Sequence, residues 1–120
     1  MGPMATVNLR RVYDSSPGGT YRILVDRVWP RGLSKDHAAV DLWLKDVGPS
    51  TELRKWFAHD PERFEEFARR YRDELEGSAA LGELKDAVAG HSRVDLVYSA
   101  RDEEHNQAIV LRDVLGRSAR

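Results

Sequence analysis

Along the chain, short apolar runs suited to strands give way to longer stretches with helical spacing. Apolar runs within residues 7–13, 23–25 and 94–98 predict strands. Between the second and third runs, apolar side chains recur three or four positions apart, which predicts amphipathic helices. The expected fold is therefore α/β, with a small mixed sheet of about three strands packed against about five helices.

The helix that follows Asp60 and Pro61 is the clearest of these elements. Its apolar side chains form one stripe, made of Phe64, Phe67, Ala68, Tyr71 and Leu75. Serine or aspartate at a helix start accepts hydrogen bonds from the first free N–H groups. The N-caps predicted in this way are Ser50, Asp60, Ser78 and Asp102. The final helix would then have residues 103–105 in its first turn, and a separate helical turn is expected at residues 41–45.

Loop lengths restrict how the strands can pair. Residues 14–19 form a Pro/Gly-rich loop that is too short to contain a crossover helix. The first two strands are therefore either an antiparallel pair or not neighbours. Several helices separate the second strand from the last, which allows a parallel right-handed crossover between them. In that arrangement their carboxyl ends lie side by side.

Composition limits the class of protein. The 120 residues suit one domain, expected at residues 7–116, with a disordered or cloning-derived segment at 1–6 and a frayed end at 117–120. A net charge of −1 gives no general attraction to nucleic acid or acidic membranes. The absence of cysteine excludes disulfides and thiolate metal sites. No apolar run approaches the ~20 residues of a membrane span, so we expect a cytoplasmic protein without a membrane partner.

Chemically active side chains follow both of the strands expected to be parallel neighbours. After the second strand come Asp26, Arg27, Trp29 and Arg31. After the last strand come Ser99, Arg101, Asp102, His105 and Asn106. Open α/β sheets bind ligands at the carboxyl ends of their strands. We therefore expect these two groups to form one site.

The arginines of this site suit an anionic ligand. Arg27, Arg31 and Arg101 carry planar guanidinium groups that bind carboxylate or phosphate. The N–H groups at the start of the final helix would add to them. Glutamates at positions 103 and 104 would oppose an anion there. In an alternative interpretation Arg27 and Arg31 instead form structural ion pairs with Asp26 and Asp41.

Acid–base chemistry is a second possibility at the same place. His105, close to Asp102 or Asp26, has the titration range of a general base, and His59 is a further candidate. The alternative is a histidine that only forms local hydrogen bonds. No spacing matches a metal or cofactor motif, so neither is predicted. Nucleic-acid binding ranks third, on a basic and aromatic set of Arg10, Arg11, Tyr13, Arg22, Arg27, Trp29 and Arg31.

Several segments resemble one known family. Residues 25–35, VDRVWPRGLSK, resemble the signature of the YeaO-like proteins, the family of domains of unknown function numbered 488. Residues 42–47, 49–50, 53–57, 59–61 and 98–106 extend the resemblance across most of residues 9–115. It implies a small bacterial α/β domain of the cytoplasm without an established reaction. Longer relatives tend to carry cysteines where this chain has Tyr98 and Asn106, so thiol chemistry does not carry over.

Two functional hypotheses follow. The first is a site for an anionic small molecule, a nucleotide or phosphorylated metabolite, with Trp29 as a wall and acid–base catalysis by Asp26 with His105 or His59 left open. The second is a non-enzymatic interaction module in which the signature is structural. The second hypothesis predicts that Asp26 and Arg27 pair with each other and that no cleft lies beside them. Neither defines an oligomeric state.

Overall fold

A computed structural model describes the backbone of residues 5–118 and the side chains of residues 5–116. Its strands are β1 (Thr6–Arg11), β2 (Tyr21–Leu24), β3 (Leu42–Trp43) and β4 (Arg93–Tyr98). They form one sheet in the order β1-β4-β2-β3. The predicted α/β class is confirmed, and so is the parallel pairing of the second and last predicted strands, which places Ile23 beside Leu96.

Two predictions about the sheet are wrong. The sheet is not mixed, because all pairings among the described residues are parallel. Residues 12–20 contain no helix, but they can span about 30 Å when extended, enough to return across β4 to the start of β2. The helical turn expected at residues 41–45 is instead strand β3, because Asp41 N and Leu44 N donate to carbonyls of Arg22 and Leu24.

The number of helices within residues 5–118 agrees with the prediction of about five. They are α1 (Lys35–Ala38), α2 (Thr51–Phe57), α3 (Phe64–Leu75), α4 (Ala79–Ala89) and α5 (Gln107–Ser118), with short 3-10 turns at Lys45–Val47 and Pro61–Arg63. Ser50 and Ser78 cap α2 and α4 as expected, and Asp60 caps the 3-10 turn that leads into α3. β1 begins at Thr6 and α5 ends at Ser118, so both elements reach into the segments 1–6 and 117–120 that were expected to be disordered or frayed. The remainder of those segments, residues 1–4 and 119–120, lies outside the described residues.

The start of the final helix differs from the prediction. Asp102 does accept hydrogen bonds from Glu104 N and His105 N, but these residues form a separate turn. Helix α5 begins only at Gln107, and buried Asn106 is its cap, accepting from Ala108 N at 2.9 Å and Ile109 N at 3.3 Å. The residues at 103–105 therefore lie outside the helix.

The two faces of the sheet have different coverings. Alternate side chains such as Ile23 and Leu96 pack into the main core with Phe67, Tyr71 and Leu111 of the long helices. The opposite side chains join a smaller cluster of Val12, Leu24, Ala38 and Val97. No helix within residues 5–118 is long and apolar enough to cross a membrane.

Candidate functional site

The carboxyl ends of β2 and β4 open into a cavity of about 390 Å³. Small-molecule sites usually occupy about 300–1,000 Å³. Its walls are the segment after β2, helix α2 and the junction between β4 and α5. The predicted site residues that line it are Asp26, Arg27, Trp29, Arg31, His59, Ser99, His105 and Asn106. Arg101 and Asp102 were also predicted but do not line the cavity.

Asp26 is the buried acid of this cavity. Its side chain is held by three donors: Ser99 N and Ser99 Oγ reach Oδ2 at 3.0 Å and 2.5 Å, and Gln107 Nε2 reaches Oδ1. Burial raises the pKa of Asp26, and the hydrogen bonds from Ser99 and Gln107 offset that rise only in part. Asp26 is therefore a fixed hydrogen-bond acceptor whose charge is costly to the fold.

The raised pKa predicts how stability depends on pH. Folded Asp26 holds its proton more tightly than unfolded Asp26, so its favourable contribution is complete below the unfolded pKa and is lost as pH rises through the folded pKa. The Asp26→Asn protein should therefore gain stability relative to the wild type as pH rises through that window. Urea unfolding of both proteins from about pH 3 to 8 measures this difference.

Taking the difference between the two proteins removes contributions from other acids. Glu66, whose pKa hydrogen bonds from Arg69 and Arg70 lower to about 2, contributes stability in the opposite sense, which is lost as pH falls. That contribution is present in both proteins and cancels. A difference that stayed flat, or that favoured the wild type at higher pH, would contradict the assigned pKa shift.

Arg27 does not pair with Asp26. Its Nε and Nη2 donate to the carbonyls of Pro49 and Gly48, each at 2.8 Å, and Asp46 is 3.9 Å away. The alternative interpretation, which paired Arg27 and Arg31 with Asp26 and Asp41, is therefore wrong about these ion pairs. Asp41 accepts from the backbone N–H of Arg22 instead. Arg27 ties the segment after β2 to the segment before α2.

Three further cations line the cavity, and one of them, Arg54, lowers the pKa of Asp26 through its positive charge. Arg31, Arg54 and Lys55 are exposed, and none of them forms a hydrogen bond or ion pair through its side chain within the described part of the chain. Among the described residues that line the cavity, Asp26 is the only carboxylate. The cavity is therefore cationic. Arg54 and Lys55 were not predicted from the sequence, where they appear only as polar positions of an amphipathic helix.

Aromatic side chains form the rest of the wall and fix its position. Trp29 Nε1 donates to Leu33 O at 2.7 Å, and the Trp29 ring meets Trp43 edge to face at 5.3 Å. Trp43 Nε1 in turn donates to the carbonyl of Asp26 at 2.7 Å. Phe57 of α2 also lines the cavity. Trp29 is thus a fixed apolar wall, in the place expected for it.

The predicted histidines line the cavity without contacting Asp26. His105 Nδ1 lies 2.9 Å from Asp102 Oδ2, and its ring meets Phe64 edge to face. The pKa of Asp102 is lowered, and the largest cause is the hydrogen bond from Glu104 N. His59 is exposed, with a backbone φ of 57°. Of the two arrangements considered for His105, the structure has the one with Asp102. No cluster of potential metal ligands occurs in residues 5–116.

The arginines proposed for nucleic-acid binding are mostly engaged elsewhere. Arg10 pairs with Asp95 at 2.7 Å, and Arg22 is buried. Arg11 donates to the carbonyls of Ser99 and Ala100 and lies over the ring of Tyr13. These side chains hold the loops around the sheet together and do not form a continuous basic face.

Comparison with known proteins places the chain in a family. Residues 6–120 match the model of DUF488-N3i, described as the inactive DUF488-N3 subclade. The uncharacterised protein Rv3073c of Mycobacterium tuberculosis is 49% identical over 110 residues, which cover 91% of this chain and 92% of that protein. YeaO of Escherichia coli, also uncharacterised, is 40% identical over 110 residues, 91% of this chain and 96% of that protein. No solved structure matches the chain. As the resemblance in residues 25–35 predicted, the chain belongs to the YeaO-like DUF488 family, and within it to the subclade described as inactive.

Proposed function

We propose that the protein binds a small phosphorylated anion, a nucleotide or phosphorylated metabolite, in the cavity at the carboxyl ends of β2 and β4. The observation that carries this proposal is a set of three cations, Arg31, Arg54 and Lys55, whose side chains form no hydrogen bond or ion pair within the described residues. They lie around the one carboxylate of the described lining, which Ser99 and Gln107 already hold. Charge-assisted hydrogen bonds from such side chains are the usual means of binding phosphate. The apolar wall at Trp29 suits the remainder of such a ligand.

Binding without turnover is the form of this function that we favour. The family model carries the description "inactive", and the residues proposed for proton transfer lack a direct link. Asp26 is occupied by Ser99 and Gln107, and no described contact joins it to His105. Acid–base catalysis is the second candidate, because the pair of His105 and Asp102 stands beside the cavity. A bell-shaped pH dependence of turnover that His105→Gln abolished would favour it.

The interaction-module hypothesis has less support. It expects Asp26 and Arg27 to pair with each other and the space beside them to be closed. Arg27 instead bonds the carbonyls of Gly48 and Pro49, and a cavity lies beside Asp26. Both features favour a ligand site over a signature that is wholly structural.

Replacing any one of these three cations with alanine should abolish or strongly weaken ligand binding. AMP is expected to raise the melting temperature of the wild type, and this shift should be lost in Arg31→Ala, Arg54→Ala and Lys55→Ala. Each loses a charge-assisted hydrogen bond of about 1.5–3 kcal/mol, which corresponds to about a tenfold or greater loss of affinity. Thermal unfolding at several AMP concentrations and calorimetric titration measure both quantities.

Matched controls separate a local contact from a general effect of charge. Lys85→Ala on α4 and Arg112→Ala on α5 remove the same kinds of exposed side chain away from the cavity. These controls should keep the full shift. The proposal fails if AMP, inorganic phosphate and ribose 5-phosphate all leave the wild-type melting temperature unchanged, or if the controls weaken binding as much as the cavity variants.

A further inference from the structure

We propose that Asp26 makes this cavity selective for phosphate esters that carry sugar hydroxyl groups, because its Oδ1 accepts a hydrogen bond from the ligand. This inference rests on the proposed function and names the ligand class of the same site. Sugar phosphates and nucleotides share the required chemistry, an anionic group together with a hydroxyl donor.

The count of hydrogen bonds at Asp26 leaves one acceptor position open. An ionised carboxylate has about four lone-pair positions, two on each oxygen. Oδ2 uses both, for Ser99 N and Ser99 Oγ, whereas Oδ1 receives only Gln107 Nε2 from the described residues. Asp26 keeps 7% of its surface exposed and lines the cavity. A donor group of the ligand can therefore form the fourth hydrogen bond to the carboxylate.

The Asn106 amide and the donors of Ser99 and Gln107 already have partners. Asn106 Oδ1 accepts from two N–H groups of α5, and its Nδ2 donates to Asp102 O. Ser99 Oγ and Gln107 Nε2 donate to Asp26 itself. The side chains of Arg31, Arg54 and Lys55 supply donors only. The open position on Asp26 is thus the charged acceptor that the described lining residues offer to a ligand, beside neutral acceptors such as Gln107 Oε1.

The negative charge of Asp26 determines how strongly this acceptor discriminates between phosphate esters. A carboxylate inside a cationic cavity repels an incoming phosphate and lowers its affinity. A ligand hydroxyl that donates to Oδ1 recovers free energy at that point, because a hydrogen bond to a charged group is stronger than one between neutral groups. A phosphate ester without such a hydroxyl is repelled and receives no compensation.

The variant Asp26→Asn reverses the hydrogen-bonding character of this position. The fixed N–H of Ser99 requires an oxygen where Oδ2 now lies, so the new amide must place its NH₂ group at the site of Oδ1. Gln107 can rotate its amide and accept from that group. The position that faces the ligand then changes from an acceptor to a donor, with little change in shape.

Calorimetric titration with AMP and with 2′,3′-dideoxy-AMP tests the inference. The two ligands have the same phosphate and base and differ in the ribose hydroxyls. The wild type should bind AMP about tenfold or more tightly than the dideoxy compound. In Asp26→Asn the ratio should fall to about one. Asp46→Asn, the same change at an exposed position outside the cavity lining, should keep the wild-type ratio.

Each outcome decides between the two proposals. Equal affinities in the wild type, or an unchanged ratio in Asp26→Asn, would overturn the role of Asp26 and leave phosphate binding intact. Failure of every phosphate ester to bind would overturn both. If circular dichroism shows that Asp26→Asn is unfolded, the wild-type ratio alone decides. Ribose 5-phosphate distinguishes the two ligand classes. Affinity equal to that of AMP supports a sugar phosphate as the ligand, and weaker affinity supports a nucleotide.

Discussion

Replacing Arg22 with methionine is expected to lower the free energy of unfolding by about 3–5 kcal/mol, close to the cost of breaking a buried charged network. Arg22 is only 5% exposed, although it carries a charge. Its guanidinium donates to the carbonyls of Val12, Asp14 and Ala38 and to Ser16 Oγ, at 2.7–3.0 Å. Methionine fills much of the volume but leaves these acceptors without their donor, at about 1–3 kcal/mol for each buried group.

This large effect follows from what Arg22 does for the fold. Residues 12–20 cross β4 without a helix, and the donors of Arg22 hold that crossing against the sheet. Asp95, beside Arg22 in β4, binds Arg10 and Ser16 on the same side. Burial lowers the pKa of Arg22, and the negative charge of Asp95 opposes that change.

Urea unfolding of the variant measures the expected loss. Arg69→Met is the matched control, because the Arg69 guanidinium also donates to several oxygen atoms, those of Glu66 and Asp73, but is exposed on α3. Exposed pairs are worth about 0–1 kcal/mol, so this control should change stability little. A loss below about 1 kcal/mol for Arg22→Met would contradict the role assigned to the buried network.

Arg22 also shows why the sequence predicted only part of the sheet. The run at residues 23–25 is apolar on both faces, as expected for a central parallel strand, and its strand is a neighbour of the last strand. The crossing of residues 12–20 depends on a buried arginine, and in a sequence a charged residue at a strand position indicates exposure. Strand β3 has two residues, too few to show a period.

The sequence predicted those residues of the candidate site whose positions follow directly from the strand that precedes them. Asp26 and Ser99 follow neighbouring parallel strands, so the strand-end rule alone brings them together, and they are hydrogen-bonded. Arg54, Lys55 and Gln107 reach the cavity through the packing of α2 and α5, which no local pattern specifies. Arg101 also follows β4, three residues after its last residue, but it lies outside the cavity lining.

Gly48→Ala is expected to destabilise the protein by about 1–3 kcal/mol, the usual cost of forcing extra atoms into a packed region. Gly48 has φ −67° and ψ 160°, which any residue can adopt, so the effect comes from contacts and not from backbone strain. A Cβ atom there would lie 3.0 Å from Arg27 N and 3.2 Å from both Arg27 Cβ and Val25 O. Two of these are backbone atoms on either side of Asp26.

Relief of that contact must move the segment that positions the site. Arg27 also donates to the Gly48 carbonyl, so a shift of either segment disturbs their connection. We therefore expect Gly48→Ala to weaken AMP binding as well as to lower stability, although its side chain would bear no charge. Calorimetric titration below the melting temperature of the variant separates the two effects.

Gly82→Ala is the matched control for this prediction. Gly82 is exposed within α4, and an added Cβ would meet no heavy atom within 4 Å outside its own helix. Alanine in a helix is favoured over glycine by about 0.8–1 kcal/mol, so this variant should be more stable than the wild type and bind AMP equally well. The same added methyl group thus has opposite expected signs at two positions. If Gly48→Ala matched the wild type in urea unfolding, the segment after β2 would be more compliant than the close approach of Gly48 implies, and the bond from Arg27 to the Gly48 carbonyl would not restrict that segment.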